Sequence, residues 1–175
     1  MLRLLSEQKA LVKLQRLTND FKTRVASDYE HRAKNCLTCE TQGACCLDAH
    51  FVNVHISRLE AVAIRQEIGK LPSIRRFEIH RRIEETIEKY RLDHGCDTYA
   101  RTFACPLFET GTGCLVHANA KPVPCITHAC YENPGDLPPD ELQIAQEMRI
   151  DDLNTHTYGR PQQWLPLPVA LSRGS

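Results

Sequence analysis

Nine cysteines are the residues of this 175-residue chain whose type and spacing best fit a chemical role. Eight of them form two groups, and the stretch between Cys46 and Cys96 contains none. The groups are Cys36, Cys39, Cys45 and Cys46, then Cys105, Cys114, Cys125 and Cys130. Thiolates are soft ligands that suit zinc, copper(I) or an iron–sulfur cluster. Two groups separated in this way predict two halves of one metal site.

The composition argues against several functions other than metal binding. No secretory signal and no run of about 18 uncharged apolar residues is visible, which predicts a cytoplasmic protein with no membrane segment. Thiols stay reduced in that compartment, so ligand or catalytic roles are favoured over disulfides. The 22 basic and 22 acidic side chains balance, and this argues against nucleic acid as an obligatory partner.

The spacing within each group is typical of metal loops. Cys36 and Cys39 form a C-x-x-C pair, whose two thiolates can bind one ion from a single turn. Cys45 and Cys46 are adjacent, so their side chains diverge and we expect different roles for them. The second group lies in a loop-rich stretch from Cys96 to Asp136. Such a long loop needs its own source of order, which a bound metal would supply.

The ordered cysteine pattern resembles the YkgJ-type cysteine-cluster family, also described as the CxxCxxCC or zinc- or iron-chelating domain family. The resemblance covers roughly Cys36 to Cys130. Its motifs are the C-x-x-C pair, Gly-Ala-Cys45-Cys46, the segment leading to Glu60, Cys105-Pro-Leu, Gly-Cys114-Leu-Val-His and Lys-Pro-x-x-Cys125 with Cys130. It implies that the eight grouped cysteines are metal ligands, although five residues separate Cys39 from Cys45, more than the family usually has.

The identity of the metal stays open at the level of sequence. Eight thiolates could close two zinc sites, whereas four could hold one [4Fe-4S] cluster. The resemblance favours the iron–sulfur cluster, with Zn²⁺ as the alternative. Cys96 lies outside the pattern and is interpreted as a buried free thiol. His117 and His128 are further candidate ligands, and Lys121 or Arg101 is expected to balance thiolate charge.

Three functions fit these residues. The first is a metal-binding protein acting in electron transfer, in metal handling or as an accessory to an enzyme, with a metal ion or cluster and a protein as its partners. The second is an enzyme that uses the cluster or a reactive thiol on a small-molecule or protein substrate. The third is a zinc-stabilised interaction module. Nucleotide-binding, zinc-protease and serine-hydrolase motifs are absent from the sequence.

Periodic apolar residues predict the helices that must position these cysteines. Leu11, Leu14, Leu17, Phe21 and Val25 indicate a helix with Ser6 as N-cap and an interruption near Asn19. A short strand over 51–56 leads into the capping box of Ser57 and Glu60, which begins a helix that ends near Gly69. The apolar stripe of the third helix is Ile74, Phe77, Ile83, Ile87 and Tyr90, and the helix ends at His94-Gly95. A fourth starts at Pro138 and reaches about Leu153.

The predicted fold is therefore mainly α, with about four helices packed around a cysteine-rich, metal-organised loop region and at most a short two-stranded element. It forms a single domain over residues 1–175. Within it, 1–34 is an N-terminal helical segment, 35–135 the metal-binding core, and 136–175 a C-terminal helix with a proline-rich tail. On the long third helix, balanced Arg and Glu residues predict intrahelical ion pairs. The tail is expected to dock on the helices in extended form, and binding to a partner is the alternative.

Overall fold

The structure, a computed structural model, describes residues 4–34, 43–47, 53–93 and 97–173, and of Cys45 only the backbone. It is 61% helical, so the predicted mainly α class is confirmed. In the described residues the α-helices are α1 (Glu7–Asp28), α2 (Arg58–Gly69), α3 (Ser73–Tyr90), α4 (Val123–Thr127), α5 (Asp140–Tyr158) and α6 (Leu167–Ser172). None of these helices is long and apolar enough to cross a membrane.

Two antiparallel pairs of very short strands accompany the helices. Strand β1 (His55–Ile56) pairs with β4 (Leu165–Pro166), and β2 (Phe108–Glu109) pairs with β3 (Gly113–Cys114). The described residues thus contain two such elements, one more than predicted. The β1–β4 pair joins the start of α2 to the C-terminal tail, whereas the β2–β3 hairpin belongs to the cysteine-rich loop.

Two apolar clusters form the interior, and α2 contributes to both. Ala61, Ile64 and Ile68 of α2 pack in one cluster with residues of α3, α6 and the loop around the hairpin. Leu59, on another side of α2, packs in the second cluster with α1, α4 and α5. Burying a side chain of this size stabilises the fold by about 1.5 to 3 kcal/mol. Helix α2 is thus the central element between the two halves.

The helix predictions succeed where they rest on local hydrogen bonds. The Ser57 and Glu60 capping box is present, with Glu60 N donating to Ser57 Oγ at 3.2 Å and Ser57 N donating to Glu60 Oε2 at 2.9 Å. Ser6 is the N-cap of α1, but its side chain makes no capping hydrogen bond. The interruption expected near Asn19 is wrong, because α1 is continuous from Glu7 to Asp28.

The predicted apolar stripe of α3 is wrong in its first turns. Ile74 and Phe77 are 74% and 71% exposed, whereas Ile79 and Ile83 are buried. Helix α3 packs against α6, and the buried residues of α6 cover the face of α3 that carries Ile79 and Ile83. Periodicity identified the helix, but the position of a distant C-terminal element decided which face became buried.

The C-terminal tail docks on the helices, as expected, but the extended form is wrong for its last part, which is helical. After α5 ends at Tyr158, five residues beyond the predicted end, the chain forms β4 and α6. Each residue of the stretch 167–171 is buried. Leu167 N donates to Val54 O at 2.9 Å, which continues the β1–β4 pairing into the first turn of α6.

Asn154 of α5 completes the N-terminus of α2, and we expect its removal to destabilise the fold. Asn154 is fully buried, its Oδ1 accepts from Leu59 N at 3.1 Å, and its Nδ2 donates to Ile150 O at 3.0 Å. Asn154→Ala leaves a buried N–H unpaired and should lower the free energy of unfolding by about 2 kcal/mol. For a chain of this size that corresponds to a fall in Tm of about 4 to 8 °C.

Asn133 provides the matched control for thermal unfolding. It is exposed, and its amide reaches only the nearby Asp136 Oδ2 at 3.1 Å. Asn133→Ala should change Tm by less than about 2 °C, because exposed polar contacts contribute little. Equal Tm values for the two variants would show that the Asn154 side chain does not stabilise the N-terminus of α2.

Candidate metal centre

Five of the predicted ligands have described side chains. Cys46, Cys105, Cys114, Cys125 and Cys130 have intermediate exposure, and none of these five is in a disulfide. Cys36 and Cys39 lie outside the described residues, as does the outsider Cys96, and only the backbone of Cys45 is described. The geometry below therefore concerns the second cysteine group and the last residue of the first.

Cys105 begins a tight turn in which Phe108 N donates to Cys105 O at 3.2 Å. The backbone N–H groups of Leu107 and Phe108 lower the pKa of the Cys105 thiol, against the larger effect of burial, and Phe108 then enters β2. In the hairpin Phe108 lies opposite Cys114 of β3. Donors aimed at sulfur stabilise a thiolate more than a thiol. The turn therefore supplies the backbone environment that a ligating cysteine requires.

Helix α4 brings Cys125 to the same place. The thiols of Cys105 and Cys114 are close enough to act electrostatically on Cys125. All three side chains pack against the apolar cluster formed with α3 and α6. On the same short helix, Val123 and Ile126 belong to the other cluster. Three of the predicted ligands thus lie beside one apolar cluster, which they reach from a turn, a strand and a helix.

The vicinal pair of the first group rests on the Cys105 turn. Gly43 begins a 3-10 turn over Ala44–Cys46, and Cys105 N donates to Cys46 O at 2.8 Å. Gly43 has φ of 80°, and a Cβ built there would lie 1.8 Å from Cζ of Phe108. Only glycine allows this close approach without displacing the ring.

The chain leading toward Cys36 is held against the other end of the second group. Ala33 forms an antiparallel bridge with Tyr131, and Lys34 N donates to Cys130 O at 2.7 Å. The chain around the first cysteine group is therefore anchored at Cys130 before Cys36 and at Cys105 after Cys45. This pairing supports the prediction that both groups belong to one site.

Burial favours the neutral form of the Cys105 and Cys125 thiols in the metal-free protein. It raises the pKa of Cys105 to about 12, against the opposing effect of the Leu107 and Phe108 N–H donors. Burial likewise raises the pKa of Cys125 well above its ordinary value, and the neighbouring Cys105 thiol raises it further. Both thiols must lose protons before they can bind a metal.

Positive charges surround the thiols, and one of them was expected. Lys121 acts on Cys125 and lowers its pKa, and Arg82 of α3 does the same for Cys105. The other expected cation, Arg101, instead donates to Tyr90 O at 2.9 Å. Lys22 of α1 donates to His117 O and Ala118 O, each at 2.9 Å, and fixes the loop that follows Cys114.

The arginines of α3 form ion pairs with the β2–β3 hairpin as well as within the helix. Arg81 pairs with Glu85 within α3, as predicted. Arg75 and Arg82, however, both form ion pairs with Glu109 of β2, and Arg82 also donates to Phe108 O at 3.2 Å. The expectation of intrahelical pairing is wrong for these two residues, because the hairpin lies against α3 and places Glu109 between them.

The two histidine candidates, His117 and His128, follow Cys114 and Cys125 by three residues each along the chain. His117 is exposed, and its backbone N donates to Cys114 O at 3.2 Å. Burial is the largest cause that lowers the pKa of both His117 and His128, and the positive charge of Lys121 lowers it further. In the described parts of the chain, no three His, Cys, Asp or Glu side chains stand in a metal-binding arrangement.

Sequence reasoning missed the residues that hold the cysteine segments together. Gly43 had a local signal, since a glycine directly precedes Ala-Cys-Cys. Lys22, Arg82 and Glu109 had none, because their partners are far along the chain. Glu60 was recognised only as part of a capping box, although its other oxygen, Oε1, accepts from Val123 N at 3.1 Å.

Comparison with known proteins leaves the cysteine pattern as the source of the family hypothesis. No protein-family model, no curated protein and no solved structure matches this chain.

Proposed function

We propose that this chain is a metal-binding protein that holds an iron–sulfur cluster or zinc through its clustered cysteines. The observation that carries the proposal is that Cys105, Cys114 and Cys125 lie beside the same apolar cluster, with the Ala44–Cys46 turn hydrogen-bonded to Cys105. The proposed role is electron transfer, metal handling or support of an enzyme. We place this role in the cytoplasm, where thiols remain reduced.

The donor set fits a soft metal. Sulfur dominates the converging side chains, which favours zinc or iron–sulfur over hard oxygen-loving ions. The Leu107 and Phe108 N–H groups and the charges of Lys121 and Arg82 would stabilise thiolates around the bound group. We prefer a [4Fe-4S] cluster because the resemblance favours it, with Zn²⁺ as the alternative. When bound, the cluster would supply electron transfer, whereas zinc would supply structural support.

A nucleophilic role fits Cys105 and Cys125 less well. A reactive cysteine needs a lowered pKa and access to solvent. Burial instead raises the pKa of both thiols. Ligation overcomes this barrier because the metal replaces the proton on sulfur. We therefore favour ligands over nucleophiles for these residues.

Elemental analysis of anaerobically purified protein tests the proposal. We expect iron with acid-labile sulfide and a broad visible absorbance, or colourless protein with stoichiometric zinc. Cys105→Ser and Cys125→Ser should each lower the metal content more than about tenfold, because an incomplete sulfur set binds weakly. Cys96→Ser, outside the pattern, is the control and should keep the wild-type content. Wild-type protein that contains neither metal, and takes up neither on reconstitution, would overturn the proposal.

A further inference from the structure

Glu60 is a buried carboxylate with more partners than its helix requires. Only 3% of the surface of Glu60 is exposed. Oε2 accepts from Ser57 N and Ser57 Oγ, each at 2.9 Å, and these bonds belong to the start of α2. Oε1 accepts from Val123 N at 3.1 Å. A capping box accounts for the Ser57 side but not for a bond to a residue that lies 63 positions along the chain.

The bond to Val123 matters because α4 has few donors of its own. The helix has five residues, and proline stands at positions 122 and 124. Proline lacks an N–H, so Val123 carries the N–H available to fix the first turn. Cys125 follows two residues later, and its N donates back to Pro122 O at 3.0 Å. Holding Val123 therefore holds the turn that presents Cys125.

We propose that Glu60 is a positioning residue for the metal site: its carboxylate fixes α4 through Val123 N and so holds the Cys125 thiol against Cys105 and Cys114. The inference rests on the proposed function, because it takes Cys125 as a ligand. Glu60 is connected to the metal through the backbone of α4 and does not itself bind it. It plays the part of the outer hydrogen-bond partners that orient metal ligands in other sites.

A carboxylate is required at this position because donors approach from both sides. Each oxygen of Glu60 accepts, one from Val123 and the other from Ser57. An amide has one acceptor oxygen and one donor nitrogen. Glu60→Gln would keep the shape of the side chain, but it would point an NH₂ group at one of two N–H groups. Either the link to α4 or the cap of α2 must then break.

The probe for the test is Co²⁺ added to metal-free full-length protein under anaerobic conditions. Bound Co²⁺ reports its thiolate ligands through sulfur-to-metal charge-transfer absorbance. We expect Glu60→Gln to weaken Co²⁺ binding about 10- to 100-fold, the usual loss for an outer-shell partner. The absorbance per bound ion should also fall to that of Cys125→Ser. Ser57→Ala removes capping contacts while leaving the Val123 link, and should change the affinity less than about threefold, consistent with a local capping loss.

A second pair of variants isolates the N–H of Val123 if Glu60→Gln fails to fold. Val123→Pro removes that N–H at the first position of a helix, where proline is tolerated. Pro122 has φ of −72° and ψ of 158°, which is the extended conformation that a residue before proline adopts. Val123→Ala keeps the N–H and removes most of the side chain. We expect weaker Co²⁺ binding by Val123→Pro than by Val123→Ala, by about the same factor as for Glu60→Gln.

A double-mutant cycle separates positioning from general stability. If Glu60 acts through Cys125, adding Glu60→Gln to Cys125→Ser should weaken Co²⁺ binding no further. Additive losses, or charge-transfer absorbance in Glu60→Gln equal to that of the wild type, would overturn the positioning role, since independent sites add. Failure of the wild-type protein to bind Co²⁺ through thiolates, together with the absence of iron and zinc from the purified and reconstituted protein, would instead overturn the proposed function itself.

Discussion

Gly43→Ala should destabilise the protein and abolish metal retention. At φ of 80° the new Cβ is strained, and it would lie 1.8 Å from Cζ of Phe108. The backbone conformation costs about 1 to 2 kcal/mol for a residue other than glycine, and relieving the overlap costs about 1 to 3 kcal/mol more. The ring and the Ala44–Cys46 turn must separate, which weakens the contact between the two cysteine groups. Denaturant unfolding and metal analysis of the purified variant measure both effects.

Gly111 and Phe108 supply the controls for this prediction. Gly111 has φ of 79° but open space around its Cα. Gly111→Ala should therefore show the conformational cost alone and retain its metal. Adding Phe108→Ala to Gly43→Ala removes the overlap, and we expect the pair to lose less stability than the sum of the single variants. Equal losses for Gly43→Ala and Gly111→Ala would contradict the role assigned to the close approach.

Zinc affinity should rise steeply with pH. Burial raises the pKa of Cys105 to about 12 and that of Cys125 well above its ordinary value, so both thiols are protonated near neutrality. Binding as thiolates releases one proton from each. The association constant should then grow about 100-fold for each pH unit between about pH 6 and 8 from these two residues alone. Competition with a chelator of known protonation gives the slope, and proton release into weak buffer gives the count directly.

Removing the Cys105 and Cys125 thiols should remove their share of the pH dependence of the zinc association constant. The variant carrying both Cys105→Ser and Cys125→Ser is expected to release two fewer protons for each zinc bound. A wild-type slope near zero would show that these thiols are already ionised or do not bind. In the metal-free protein, raised thiol pKa values stabilise the fold below the unfolded-state pKa of about 8.5. That contribution is lost as pH rises toward the folded-state values.

Local interactions explain what could be read directly from the amino-acid sequence. Some features depend only on hydrogen bonds and side chains within a few residues. They are the Ser57 and Glu60 capping box, the end of α2 near Gly69, and the helical nature of α1, α3 and α5. The predicted chemistry also rests on residue type, because sulfur donors select soft metals wherever a fold brings them together. These features need no knowledge of the tertiary structure.

Tertiary packing decided which helix faces are buried. Ile74 and Phe77 lie on roughly the opposite side of α3 from Ile79 and Ile83, and they are exposed because α6 covers the face that carries Ile79 and Ile83. Periodicity alone cannot distinguish two apolar faces of one helix. The same limit applies to the ion pairs of Arg75 and Arg82, whose partner Glu109 comes from the hairpin.

The sequence by itself determined that the cysteines are clustered and that helices flank them, and it predicts thiol chemistry for this protein. Only the tertiary structure decided that Cys105, Cys114 and Cys125 lie beside one apolar cluster, that Gly43 lies beneath Phe108, and that Glu60 holds α4. The physical reason is distance along the chain. Capping and helical periodicity act over about four residues, whereas the link between Glu60 and Val123 spans 63 residues and exists only after both apolar clusters have formed around α2.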